Sequence, residues 1–388
     1  MRLSKKYYKL LAYLLLLLSL CWTGRFLLFI RPAAPFPLDL KWQVDLGNST
    51  YERPTYQDGL ILFPANKSFS SAWYGLDAQT GQTIWSRSIR RTSFLRCLTP
   101  EHLIVSGPYS LVALNPPNGQ VIWSGEIGNT ATCSETSVFS VVPRQFVETR
   151  SLSTGQYLWR GINPRYNILG AIYNREADEL IAGGSIIVDP DSGNVLRSFE
   201  PTFLAYPPTD EGRGPMYLID RGQLFIGGTV RDAKTGQVLH VEERFGGFAA
   251  PTVTQDTIYI ADSSEDGYVE GVTALDRATY TVKWKYQPQH KLPGFSLITL
   301  SPVAIFDGMG YVIFSDATLR AFDLETGQEL GYWQPQGLDL MFWPGCTLPL
   351  PQLPNPFDCI HSSGVGMTTS DDTLFVSFGD GKLYAFGK

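Results

Sequence analysis

The amino-acid sequence predicts an all-β fold: an eight-bladed propeller of four-stranded antiparallel blades, with an N-terminal strand closing the last blade and one N-terminal hydrophobic helix ahead of it. Three observations carry this expectation. A tight-turn signature recurs at near-regular spacing through most of the chain. The composition, 37 Gly and 26 Pro with 9 Trp, 19 Tyr and 22 Phe against only 18% charged residues, suits many short strands joined by turns. The two ends of the repeated region also complement one another as parts of one blade.

The signature is first complete at Leu76-Asp77-Ala78-Gln79-Thr80-Gly81, with Trp85 following. It returns at Asn115 to Gly119 with Trp123, at Ser153-Thr154-Gly155 with Trp159, at Asp189 to Gly193, at Asp232 to Gly236 and at Asp323 to Gly327. A degenerate copy, Asp276 to Tyr280, keeps its tryptophan at Trp284. The mean period of about 41 residues exceeds that of a leucine-rich solenoid and matches a propeller blade. The glycine supplies the positive φ of a tight hairpin, and the Asp or Asn four residues earlier bonds to amides inside the turn. Four residues after the glycine, the tryptophan falls on the strand leaving the turn, where its ring packs against a neighbouring blade.

Between turns the strands are legible. Phe94 to Leu98, Leu103 to Ser106, Leu111 to Leu114 and Gln120 to Trp123 form one set of four; Ala249 to Val253, Thr257 to Ala261, Gly271 to Leu275 and Val282 to Tyr286 form another. The chain ends on Lys382 to Phe386, which reads as the third strand of a blade. Leu40 to Val44 reads as an orphan fourth strand, with Trp42 in the tryptophan position. Seven internal turns plus this composite blade make eight, and the closure removes a free sheet edge.

Residues 1–31 form a separate unit. Arg2, Lys5, Lys6 and Lys9 precede an uncharged run, and the apolar stretch Leu10 to Ile30 is long enough to cross a bilayer of roughly 30 Å at about 1.5 Å per residue. The expectation is a signal anchor, contacting the membrane through residues 8–30, with a cytoplasmic N-terminus and an extracytoplasmic propeller, periplasmic or on the cell surface. A cleaved signal or a lipoprotein is the competing reading. Residues 32–37 are a Pro-rich tether and 38–388 the propeller, with an insert at about 335–361. The six basic residues of the first 31 are offset by no acid, so the body is more acidic than the overall charge of −6, which disfavours nucleic acid as a partner.

The pattern Ala-x-Asp-x-x-Thr-Gly-x-x-x-Trp resembles the repeat of the pyrroloquinoline-quinone (PQQ) type propellers from about residue 38 to 388, and Ala113, Ala274, Ala321 and Ala385 match its small residue. That resemblance implies the eight-bladed ring but two unlike functions. Quinoprotein dehydrogenases oxidise alcohols or sugars with PQQ and Ca²⁺. The other group is similar to the lipoprotein of the outer-membrane barrel-assembly machinery, a cofactor-free propeller that binds partner proteins. No two of the five cysteines are adjacent, as many alcohol-oxidising members require, and no haem-attachment motif is present. His102, His240, His290 and His361 are spaced unlike any zinc motif.

Cys97 and Cys133 lie 36 residues apart, each on the expected innermost strand of its blade, so they are candidates for a disulfide, with two buried free thiols as the competing reading. Cys346 and Cys359 bracket a Pro-rich stretch in the insert, which also carries Phe342 and Trp343. A loop of this length is a candidate disulfide-closed partner loop or a plain lid. The sequence is therefore read as a membrane-anchored scaffold that binds other proteins of the cell envelope, without catalytic residues, metal or cofactor. The alternatives are a PQQ- and Ca-dependent dehydrogenase and a small-molecule sensor that uses the central channel.

Overall fold

The computed structural model describes residues 35–47, 53–67, 70–89, 94–107, 110–125, 130–142, 146–161, 171–183, 185–199, 217–226, 229–242, 251–263, 269–288, 301–314, 317–336, 365–379 and 381–388. These residues form eight four-stranded antiparallel sheets. Blade 1 runs outward from the axis as Thr55–Gln57, Leu60–Lys67, Ser70–Asp77 and Thr83–Ile89. Blades 2 to 7 repeat that order over 94–125, 130–161, 171–198, 217–241, 252–286 and 304–333. Blade 8 takes three strands from Val365–Thr369, Leu374–Phe378 and Lys382–Gly387, and its fourth from Asp39–Asp45.

This closing strand lies antiparallel to the last one, with Leu40 opposite Phe386 and Asp45 opposite Lys382. The Lys41 ammonium reinforces it by donating to the Asp372 carbonyl at 2.9 Å. The hydrophobic helix expected at 8–30 falls outside the described residues. Among the described residues no helix is long and apolar enough to cross a membrane.

The turns are built as their residue types require. At Asp58-Gly59, Arg221-Gly222 and Asp307-Gly308 both central residues have positive φ, the geometry of a two-residue hairpin whose twist matches its strands. In the longer turn after each third strand, Asp77 Oδ1 accepts from the Gln79 and Thr80 amides at 3.1 and 2.8 Å and from the Thr80 hydroxyl at 2.7 Å. The Gly81 amide closes the turn on the Asp77 carbonyl. Gly81 has φ +72°, and in the degenerate copy Tyr280 takes the same conformation at +58°, with its amide on the Asp276 carbonyl at 2.7 Å. Both kinds of turn share one end of the ring, since the Ala78 amide bonds to the Gly59 carbonyl and that of Ala233 to Gly222. Connections from blade to blade therefore start and finish at the other end.

The buried apolar residues divide into eight clusters, each lying between two adjacent blades. At five of the junctions an indole forms a latch. Trp42, Trp85, Trp123, Trp159 and Trp284 each lie over the turn glycine of the next blade, respectively Gly81, Gly119, Gly155, Gly193 and Gly327, where a Cβ would collide with the ring. Each indole N–H also donates to the carbonyl of the residue after the first turn residue (Asp77, Asn115, Ser151, Asp189 or Asp323): Ala78, Pro116, Leu152, Pro190 and Leu324, at 2.7 to 3.3 Å.

Two junctions use other residues. Gly236 is covered by Phe199, while Arg197, in the tryptophan position, bonds the Lys234 carbonyl at 2.8 Å and grips Glu179 with two bonds of 2.6 Å. Between blades 5 and 6 both partners are exchanged: His240 replaces the indole and stacks flat on Tyr280, with ring centroids 4.5 Å apart. A smaller ring here makes room for a side chain where glycine is the rule. Near the axis, Cys97 and Cys133 are joined as a disulfide between the innermost strands of blades 2 and 3, with Cα atoms 6.1 Å apart.

Substituting Trp123 by Ala removes both the ring over Gly155 and the bond to Leu152. It is expected to cost about 3–5 kcal/mol in denaturant unfolding. His240→Trp alone is expected to destabilise by crowding Tyr280, and Tyr280→Gly in the same chain to recover that loss, so a double-mutant cycle gives a favourable coupling of about 1 kcal/mol or more.

The turn aspartates add a pH dependence. Bonds from the residue three further on hold the carboxyls of Asp77, Asp189, Asp232, Asp276 and Asp323 below the ordinary carboxylate value, the hydroxyl contributing most at Asp77 and Asp323 and the backbone N–H at the other three. A carboxyl with a lower value folded than unfolded stabilises the fold above the unfolded value, and that stability is lost as pH falls through the folded value. The melting temperature should therefore drop below about pH 4. In the Asp189→Asn, Asp232→Asn double variant that drop should be shallower.

Candidate functional site

The fourth strand of each blade has two sides. The residue four after the turn glycine points into the ring as the latch, while those two and three after it lie at the sheet edge, where no further strand pairs among the described residues. In blades 2, 3, 4 and 5 both of these outer residues are large and apolar: Val121 and Ile122, Tyr157 and Leu158, Val195 and Leu196, Val238 and Leu239. Each is between 39% and 54% exposed. On the other blades one of the pair is polar or charged: Thr83, Lys283, Glu329 and Lys41. The result is a band of exposed apolar pairs on four consecutive rim strands, where the other four each expose a single large apolar residue: Leu40, Ile84, Val282 and Leu330.

Exposed sheet edges are usually guarded by lysine, proline or a bulge. The third-to-fourth pairing does carry a register shift just before the turn in blades 2 to 5. Beyond it the four rim strands hold no lysine and no proline. Among the described residues no strand pairs with the outward edge of these strands, and apolar side chains lie beside it.

The interior offers less. Glu148, buried in blade 3, is engaged by Arg150 at 2.6 Å and Arg160 at 2.9 Å. Arg320, fully buried in blade 7, bonds Glu329 at 3.1 Å and the Thr318 hydroxyl at 3.0 Å. Tyr286 donates to the same Glu329 oxygen, and burial raises its hydroxyl above the usual tyrosine value. These groups tie strands and blades together. Among the described residues no three His, Cys, Asp or Glu side chains converge as a cation's ligands would.

The residues singled out from sequence are placed as follows. Trp42, Trp85, Trp123, Trp159 and Trp284 make up the latches with Gly81, Gly119, Gly155, Gly193 and Gly327, while Gly236 lies under Phe199. Cys97 and Cys133 are bonded. Cys346, Cys359, Phe342 and Trp343 lie outside the described residues. The rim band escaped sequence reading, because a pair of apolar residues entering a strand is ordinary core material. Its one signal is that both members are apolar, whereas a half-buried strand alternates.

No curated protein matches the chain in sequence. Among solved structures, BamB from Moraxella catarrhalis is 14% identical, with a TM-score of 0.63 over 90% of this chain and 100% of that one. A computationally designed protein is as similar, at 13% identity and a TM-score of 0.64 over 90% and 99%. The quinohemoprotein alcohol dehydrogenase from Comamonas testosteroni follows at 12% and 0.56, over 90% and 76%. At such identities the likeness is one of fold. The model of the family described as outer membrane protein assembly factor BamB matches residues 39–161 and 182–336. With most of the ring covered by that match, the chain belongs to the BamB family of PQQ-type β-propellers.

Proposed function

We propose that this protein is an extracytoplasmic scaffold, held to a membrane by residues 8–30, that binds other proteins of the cell envelope and performs no catalysis. The observation that carries the reading is the apolar band on the open edges of blades 2 to 5. A rigid sheet edge with apolar neighbours fits an extended partner segment, which gains main-chain hydrogen bonds along the edge and buries alternate side chains beside it. Family membership supports the reading, since the family is described as an assembly factor. The basic residues before the apolar segment support the orientation with the ring outside the cytoplasm. Asp39, the first residue of the closing strand, lies at the end of the ring that carries the short turns. An anchor ahead of it therefore directs that end toward the membrane and leaves the opposite end, with the blade-to-blade connections, facing away.

Leu158→Asp, Leu196→Asp and Leu239→Asp, combined in the full chain, should each change unfolding free energy by no more than about 0.5 kcal/mol, because all three side chains are exposed. The combined variant should lose the proteins recovered with the wild-type chain after crosslinking in membranes, while Leu330→Asp on blade 7 keeps them. An unchanged set of partners would rule out the band. With PQQ and Ca²⁺ added, the purified protein should show no quinone-dependent dye reduction with alcohols or aldose sugars; turnover would replace the scaffold reading with an oxidoreductase.

A further inference from the structure

The junction between blades 7 and 8 has no ring at the latch position of the fourth strand, although Trp333, two residues further on, packs against Phe378, Tyr384 and Phe386 of blade 8. Four residues after Gly327, where the latch belongs, is Gly331, with φ +156°, and a Cβ there would collide with the carbonyl of Pro35. The space is filled by the chain itself as it enters the closing strand. Phe36 lies edge-on to Tyr311 of blade 7 and to Phe386 of blade 8, with ring centroids at 6.1 and 5.6 Å. Leu38 is 5% exposed in the same cluster, and Trp333 packs edge-on to Phe386 at 4.8 Å.

We propose that residues 35–38 are a seam lock: the chain ahead of the closing strand is seated in the slot left by the missing tryptophan, so the last junction is completed by the segment that leads to the N-terminal apolar stretch. Two features of the sequence fit only this arrangement. A glycine is needed at 331 because backbone, not a ring, must approach it. Proline on both sides of Phe36 stiffens the segment in an extended form, which lowers the entropy lost on seating it.

The lock also separates two events that would otherwise be one. A cut before residue 35 leaves the ring sealed, whereas release of 35–38 uncovers Tyr311 and Phe386 beside the blade 8 ladder whose two strands, Asp39–Asp45 and Lys382–Gly387, are not joined by a hairpin. Tension or displacement acting on the N-terminal segment is thus delivered first to ring closure. This inference stands on the seam alone and does not depend on the binding reading.

Hydrogen exchange of the full-length protein in detergent micelles tests it. Phe36→Ala is expected to speed exchange of the amides in 36–45 and 382–388 roughly tenfold while leaving 146–161 in blade 3 unchanged. Gly331→Ala should give the same footprint, and the double variant no more than the larger single effect, because both changes empty one slot. Phe36→Leu should fall between wild type and Phe36→Ala, and serves as the decisive variant should Gly331→Ala fail to fold. Unchanged exchange at 36–45 in Phe36→Ala, or single effects that multiply in the double variant, would overturn the lock.

Discussion

An indole resting on a glycine of the next blade is the contact on which this ring depends. One residue meets two demands there: the hairpin needs positive φ, and the neighbouring ring needs a backbone without Cβ. Because the indole N–H also finds a carbonyl within the same turn, the latch fixes height as well as distance between blades. Repeated from junction to junction, a contact of fixed geometry imposes a constant rotation from blade to blade, and closure follows when the last strand meets the first. The exceptions obey the same constraint. Tyr280 keeps the positive φ that glycine normally supplies, and the imidazole of His240 stacks on its ring in the place of an indole.

Much of this was legible in the sequence because the turn is a local device. Asp77, Thr80 and Gly81 satisfy one another within five residues, so their spacing survives whatever surrounds them, and even Tyr280 could be read as a glycine equivalent from the acid before it and Trp284 after it. The pairing of Leu40 to Val44 with Lys382 to Phe386 was readable for a similar reason, since each end lacked what the other had. What escaped reading depends on partners distant in sequence. That Phe199 covers Gly236, or that Gly331 is empty for the sake of Pro35, becomes visible only when the blades are assembled. The rim band is of this kind too: Val195 and Leu196 look like core until the sheet is seen to end beside them.

The latch also explains where a propeller of this kind has freedom to acquire function. Its inward positions are committed: indoles to glycines, Arg197 to Glu179, Arg320 to Glu329, Glu148 to two arginines. A designed protein and an oxidoreductase share the ring at 12 to 13% identity, so the ring by itself does not specify a function. The residues two and three after each turn glycine are positions the latch leaves alone.

On the proposed binding reading, the distribution of apolar residues over those free positions bears on how a partner would be held. Rim strands run along the ring axis, so a segment added to one edge contacts one blade. On that reading, four adjacent edges with the same apolar pair would be four near-equivalent sites. A partner released from one edge is still close to the next, and a high local concentration of sites prolongs its stay even when each edge binds weakly. A single deep pocket, which holds one molecule tightly in one pose, would not give this behaviour.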